Sequence, residues 1–214
     1  MKVLVAGAHG TTGKHIVKKL AAKGHEPIAM IRDESQSEEL ESLGAKTVIG
    51  DLEGDVTEAV KGTEAVIFAA GSGGSTGEDK TIAVDQEGAK KLIDAAKHEN
   101  VRHFTMLSSM GADIPEEQSG AMATYLKAKA IADEYLMESE IPYTIVRPGP
   151  LTDDPETGKI MAETSLGQSD GEIPREDVAE VLVQSLENEY TKNLTFEILS
   201  GNLDINEALR NLFE

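Results

Sequence analysis

Short β-branched apolar runs alternate with amphipathic stretches along most of the chain. Residues 2–6, 27–31, 46–49, 65–69, 103–107 and 143–146 read as six buried strands. Between them apolar residues recur at helical spacing, as at Ile16, Val17, Leu20 and Ala21, and again at Leu92, Ile93 and Ala96. A strand–helix alternation of this kind implies right-handed crossovers and a parallel sheet covered by helices on both faces. The last third adds a helix over 175–187, a strand over 194–199 and a short helix from Asp204. Seven strands then fit one sheet, and the expected fold class is α/β, a doubly wound three-layer sandwich.

Two stretches break the alternation, a Gly/Ser loop at 71–78 and a long polar segment at 151–171. Both follow strand C-termini, where open α/β sheets bind ligands, so both are expected to be substrate-side lids. No repeat or linker marks a second unit, and 214 residues suit one domain spanning 1–214. The absence of cysteine excludes a disulfide framework, a thiolate nucleophile and a Cys-ligated metal. The apolar run at 2–6 is too short for a signal peptide, and no stretch approaches membrane-spanning length. A cytoplasmic chain without a membrane partner is expected. With 39 acidic against 20 basic side chains the formal charge is −19, which repels phosphate backbones and argues against nucleic acid. The expected partner is a small-molecule substrate, and the chain a monomer or small homo-oligomer.

The segment from Val3 to Lys14 is a strand, then glycines Gly7, Gly10 and Gly13, then a helix start. In that context Gly7 permits a tight turn, Gly10 lets the backbone approach a pyrophosphate, and Gly13 allows close helix–strand packing. The helix N-terminus offers free N–H groups to the anion. This is a Rossmann-type dinucleotide site whose turn contributes Gly7, His9, Gly10, Thr11, Thr12 and Gly13. After the second strand, where an NAD-selective site places a carboxylate on the ribose 2′-hydroxyl, this chain has Arg32. A guanidinium can clasp a 2′-phosphate bidentately, with Ser35 and Ser37 as further donors, so the cofactor is expected to be NADP rather than NAD. The neighbouring Asp33 could instead serve NAD. Asp51 and Leu52 suit the adenine flank, and Ala69, Ala70 and Gly71 are small enough to pass close to the cofactor.

These features, with Ser108-Ser109-Met110-Gly111, Tyr125-x-x-x-Lys129 and Arg147-Pro148-Gly149-Pro150, occur in the order of the short-chain dehydrogenase/reductase superfamily. The chain resembles its atypical members, named as NAD(P)-dependent epimerases or dehydratases, and is similar to small reductases of the flavin/biliverdin reductase B type. The resemblance extends to Arg175-Glu176-Asp177-Val178-Ala179. It implies an oxidoreductase moving hydride to or from a small carbonyl, alcohol or sugar-derived substrate. Tyr125 would be the general acid or base, and Lys129 would favour its phenolate and bond the nicotinamide ribose. Ser109, or alternatively Ser108, would bond the substrate oxygen. Lys129, Pro148 and Gly149 would complete the cofactor contacts. One departure stands out: Asp85 occupies the place where the superfamily often carries asparagine. Its carboxylate would hold Lys129 charged and offset part of the potential that activates Tyr125. A second reading is therefore a non-catalytic NADP-binding redox sensor.

Other motifs carry less. Gly73-Gly74-Ser75-Thr76-Gly77 matches a hydrolase nucleophile elbow, but no helix follows it immediately. The five histidines form no pair at ligand spacing joined by carboxylates, so no metal site is expected. A sugar-nucleotide epimerase proper is disfavoured, because little chain remains after Pro150 for a substrate domain.

Overall fold

The computed structural model describes residues 1–73, 77–167 and 170–213. The hydrolase-like elbow around Ser75 and parts of both expected lids lie outside the described residues. The strands are β1 (Lys2–Ala6), β2 (Glu26–Ile31), β3 (Lys46–Ile49), β4 (Ala65–Phe68), β5 (His103–Leu107), β6 (Tyr143–Pro148), β7 (Leu151–Thr152), β8 (Lys159–Glu163), β9 (Ile173–Pro174), β10 (Leu194–Ser200) and β11 (Leu203–Asp204). The helices are α1 (Thr11–Ala22), α2 (Ser37–Ser42), α3 (Thr57–Val60), α4 (Glu78–Thr81), α5 (Ala89–His98), α6 (Gly120–Glu138), α7 (Arg175–Gln184) and α8 (Ile205–Asn211). A π-helical segment, Ile82–Gly88, joins α4 to α5 without a break.

The strands form a nine-stranded sheet in the order β3-β2-β1-β4-β5-β6-β10-β8-β11. From β3 to β10 neighbouring strands run parallel, while β8 lies antiparallel to β10, and β11 antiparallel to β8. The chain is thus an α/β doubly wound sandwich, and the strand order reverses between β1 and β4, which is where such sheets bind ligands. One face is covered by α1 and α7, with Ile16, Val17, Leu20, Val178, Val181 and Leu182 fully buried. The other carries α3, α5 and α6 over Leu4, Val66, Phe68, Phe104 and Met106. Each such aliphatic side chain taken out of water contributes roughly 1.5–3 kcal/mol, which is why the 3.6-residue spacing in these helices is respected.

The segment after β6 differs from the irregular stretch expected at 151–171. It contributes β7, which pairs with β9, and β8, which extends the main sheet. Strand β8 alternates exposed and buried positions, with only Ile160 and Ala162 turned inward. The apolar but outward Met161, 42% exposed, hides that alternation in the sequence. Asp177, fully buried on α7, fixes the approach to β8 by accepting from Thr157 N at 3.0 Å, Thr157 Oγ1 at 2.9 Å and Gly158 N at 2.9 Å.

Candidate cofactor and active site

The glycine turn between β1 and α1 is built as a close approach. Gly7 has φ +84°, and a Cβ there would lie 2.6 Å from Ala70 N and 2.7 Å from the Ala69 carbonyl. A Cβ on Gly13 would collide with the Gly7 carbonyl oxygen. Gly10 takes the N-cap position of α1 in an extended conformation, with no side chain capping the helix and no acidic residue in its first turn. The first N–H groups of α1 are therefore left to an outside anion, at the positive end of the helix dipole. His9 and Thr11 are exposed at this turn, and Thr12 is buried.

Arg32 follows β2 on the surface; its N–H donates to Gln36 Oε1 at 3.0 Å. Asp33 is otherwise engaged. Its carboxylate accepts from Ser35 N at 2.8 Å and caps the short 3-10 turn Glu34–Gln36, and hydrogen bonding from the Ser35 side chain and then its backbone holds it below the usual aspartate range. Ser37 is also occupied, with Oγ 2.8 Å from Glu41 Oε1 and 2.7 Å from Thr47 Oγ1. Asp51 shapes its own turn through Glu53 N at 3.0 Å, and Leu52 packs against the π segment at Gly88. Ala69 and Ala70 line the end of β4 against Gly7, and Gly71 is exposed. Pro148 and Gly149 are buried at the end of β6, where Gly149 N bonds Ile198 O at 3.1 Å.

Beyond the C-termini of β4 and β5 the structure brings Tyr125, Lys129 and Asp85 together. Lys129 and Asp85 are 3% and 0% exposed and form an ion pair with Nζ–Oδ1 at 3.1 Å. The ammonium also approaches Leu107 O at 3.3 Å and Ala70 O at 3.5 Å, and lies 5.6 Å from the centroids of the Tyr125 and Phe68 rings. Burial alone would push Lys129 down. The charges of Tyr125, Asp85 and Asp133 outweigh it and hold the ammonium above the ordinary lysine value. Asp85 sits in the π-helical segment, a widening of the helix that recurs at functional sites. Its second oxygen accepts from Ser72 N at 2.9 Å, which anchors the loop after β4.

The two serines differ in their surroundings. Ser108 is buried and donates to Asp133 Oδ2 at 2.8 Å, whereas Ser109 is half-buried with Oγ 3.2 Å from Met110 O. Arg147 also reaches Asp133 Oδ2, through Nε and Nη2, each at 3.0 Å. Asp133 was not singled out from the sequence. Burial pushes its carboxyl up, against the pull of Arg147 and Ser108. A signal for it exists: Tyr125, Lys129 and Asp133 are spaced by four residues, so they share one face of α6.

A family model described as NAD(P)H-binding matches residues 7–189. The chain belongs to this NAD(P)H-binding family. Among relatives of this family member is YhfK of Bacillus subtilis, named an uncharacterized sugar epimerase, 41% identical over 99% of this chain and 100% of its own. Sanguinarine reductase of Eschscholzia californica is 30% identical over 98% of this chain and 93% of its own. A solved structure from Bacillus halodurans, provisionally named an NAD-dependent epimerase/dehydratase, superposes with a TM-score of 0.96 at 41% identity, covering 99% and 100% of the two chains. The residues present fit an NAD(P)H molecule: a turn that side chains at Gly7 and Gly13 would fill, an uncapped helix N-terminus, and a buried cation across Ala70 from that turn. The family contains NAD(P)-dependent oxidoreductases and epimerase-like proteins. No described helix is long and apolar enough to cross a membrane, and among the described residues no group of three His, Cys, Asp or Glu side chains could hold a metal ion.

Proposed function

We propose that the protein is an NADP-dependent oxidoreductase of the atypical short-chain dehydrogenase/reductase type, moving hydride to or from a small carbonyl, alcohol or sugar-derived substrate. The observation that carries this reading is the buried Lys129 ammonium set 5.6 Å from the centroid of the Tyr125 ring, across Ala70 from the glycine turn. A bound nicotinamide supplies or accepts the hydride. Tyr125 donates or removes the proton at the substrate oxygen, and Lys129 favours the phenolate over the phenol. Ser109, whose hydroxyl donates to the Met110 carbonyl at 3.2 Å, holds the substrate oxygen. Ser108 is instead tied to Asp133. Arg32 binds the 2′-phosphate, and Asp33, committed to its own cap, does not compete with that phosphate for the guanidinium.

One observation favours a second reading, a redox sensor that binds NADP without turnover. Asp85 and two backbone carbonyls already satisfy Lys129, which leaves it less to offer a ribose or a phenolate. Titration with NADPH and NADH by nicotinamide fluorescence, followed by NADPH oxidation against carbonyls and quinones, separates the two. Tight NADPH binding that Arg32→Ala weakens, with turnover falling about a hundredfold or more in Tyr125→Phe, supports the reductase. Tight binding without turnover supports the sensor. Failure to bind either nucleotide overturns both.

A further inference from the structure

Beside the glycine turn lies a set of charges that the catalytic reading does not use. Glu39, on α2, reaches the turn and the start of α1. One carboxylate oxygen is 2.7 Å from Lys14 Nζ, in the first turn of α1, and the other is 3.3 Å from His9 Nε2. Half of the Glu39 side chain is exposed, so the bridge borders solvent rather than the core. Lys14, through hydrogen bond and charge, and His9 together hold its carboxyl below the usual glutamate range.

The position is informative. In a doubly wound nucleotide site the adenosine 2′ substituent lies between the glycine turn and the end of β2. His9 belongs to that turn, Arg32 follows β2, and α2 begins five residues later. On the turn side the Lys14 ammonium and the His9 imidazole both meet the Glu39 carboxylate, and Arg32 follows the neighbouring β2. A 2′-phosphate is a dianion of the same chemistry, whereas a 2′-hydroxyl has no charge with which to displace a carboxylate and can instead donate to it.

We propose that Glu39 is a specificity-determining counter-anion, which the 2′-phosphate of NADP must displace from Lys14 and His9. It lowers the preference for NADP over NAD below what Arg32 alone would give. The proposal rests on the NADP reading above. It requires that Lys14 and His9 be phosphate ligands held in reserve.

Nucleotide affinities of wild type, Glu39→Gln, Lys14→Met and the double variant test it, measured by nicotinamide fluorescence at low salt, with Glu38→Gln as a control for net charge. An exposed ion pair is worth up to about 1 kcal/mol, so Glu39→Gln should tighten NADPH binding about fivefold. NADH should change less than twofold or weaken, and the NADPH gain should vanish in the Lys14→Met background and shrink at high salt. Unchanged NADPH affinity in Glu39→Gln, an equal gain for NADH, or an equal gain from Glu38→Gln would overturn the inference while leaving the NADP reading intact. A wild type that binds neither nucleotide would instead mark failure of that reading itself.

Discussion

Lys129 and His103 are both buried bases, and their neighbours send them in opposite directions. Lys129 has Asp85 at 3.1 Å and stays charged. His103, on β5, is 7% exposed and has Thr144 Oγ1 as its partner at 3.1 Å from Nε2. Burial, with Lys192 acting in the same direction and Glu189 against it, lowers its imidazole from 6.5 to about 4. The unfolded chain then binds a proton that the folded one resists. This contribution to stability is complete above the unfolded value and is lost as pH falls through the folded one. Its size is up to about 3 kcal/mol. Urea midpoints at pH 7 and pH 4.5 should therefore fall less in His103→Asn than in wild type; an equal fall would remove His103 from the account. At this scale the glycines of the turn stand out by their spacing, whereas Tyr125, Lys129 and Asp85 stand out only through the resemblance to the superfamily's motifs. Asp133 and Glu39 do neither: an acidic residue on a helix reads as surface until a distant cation, Arg147 or Lys14, is placed beside it.

Among the elements, the β1–α1 unit is the least forgiving. Gly13 has the Gly7 carbonyl and Ala8 backbone where its side chain would be, so the helix must move if a methyl is added. Gly13→Ala should cost about 2 kcal/mol or more and abolish nucleotide binding, as thermal midpoint and fluorescence titration will show. Gly24→Ala is the contrast: it also has positive φ, but nothing lies within 4 Å of its added Cβ, so strain without collision should leave binding intact. Strands β1, β2, β4, β5, β6 and β10 could be read because continuous apolar runs mark a sheet buried on both faces, whereas β3, expected to be buried, is an edge strand with no buried residue and Ile49 53% exposed. Strand β8 could not. Its five residues hold two inward positions, and its partner β10 lies more than thirty residues away, roughly the separation at which local pattern carries no pairing information. The π segment was invisible for a related reason: Asp85 fits an ordinary helix in sequence, and the widening is set by what packs around it.

For the molecule as a whole, the −19 charge is spread over a surface whose ion pairs are mostly exposed. Such pairs contribute little singly, while the excess of carboxylates repels itself throughout. Raising sodium chloride from about 10 mM to about 150 mM, which shortens the screening length from roughly 30 Å to 8 Å, should raise the thermal midpoint. A fall would mean that local pairs outweigh the net field. The composition predicted this surface, but not which cations it leaves beside the cleft.

Ala70 stands where the two ends of the cleft meet. Its amide nitrogen faces Gly7, close enough that no Cβ fits between them, and its carbonyl oxygen takes the Lys129 ammonium at 3.5 Å. Turn and lysine, 122 positions apart in the chain, are thereby two sides of one residue. A side chain at Gly7 would press on the Ala70 backbone, and through that one residue on the carbonyl that receives the buried ammonium.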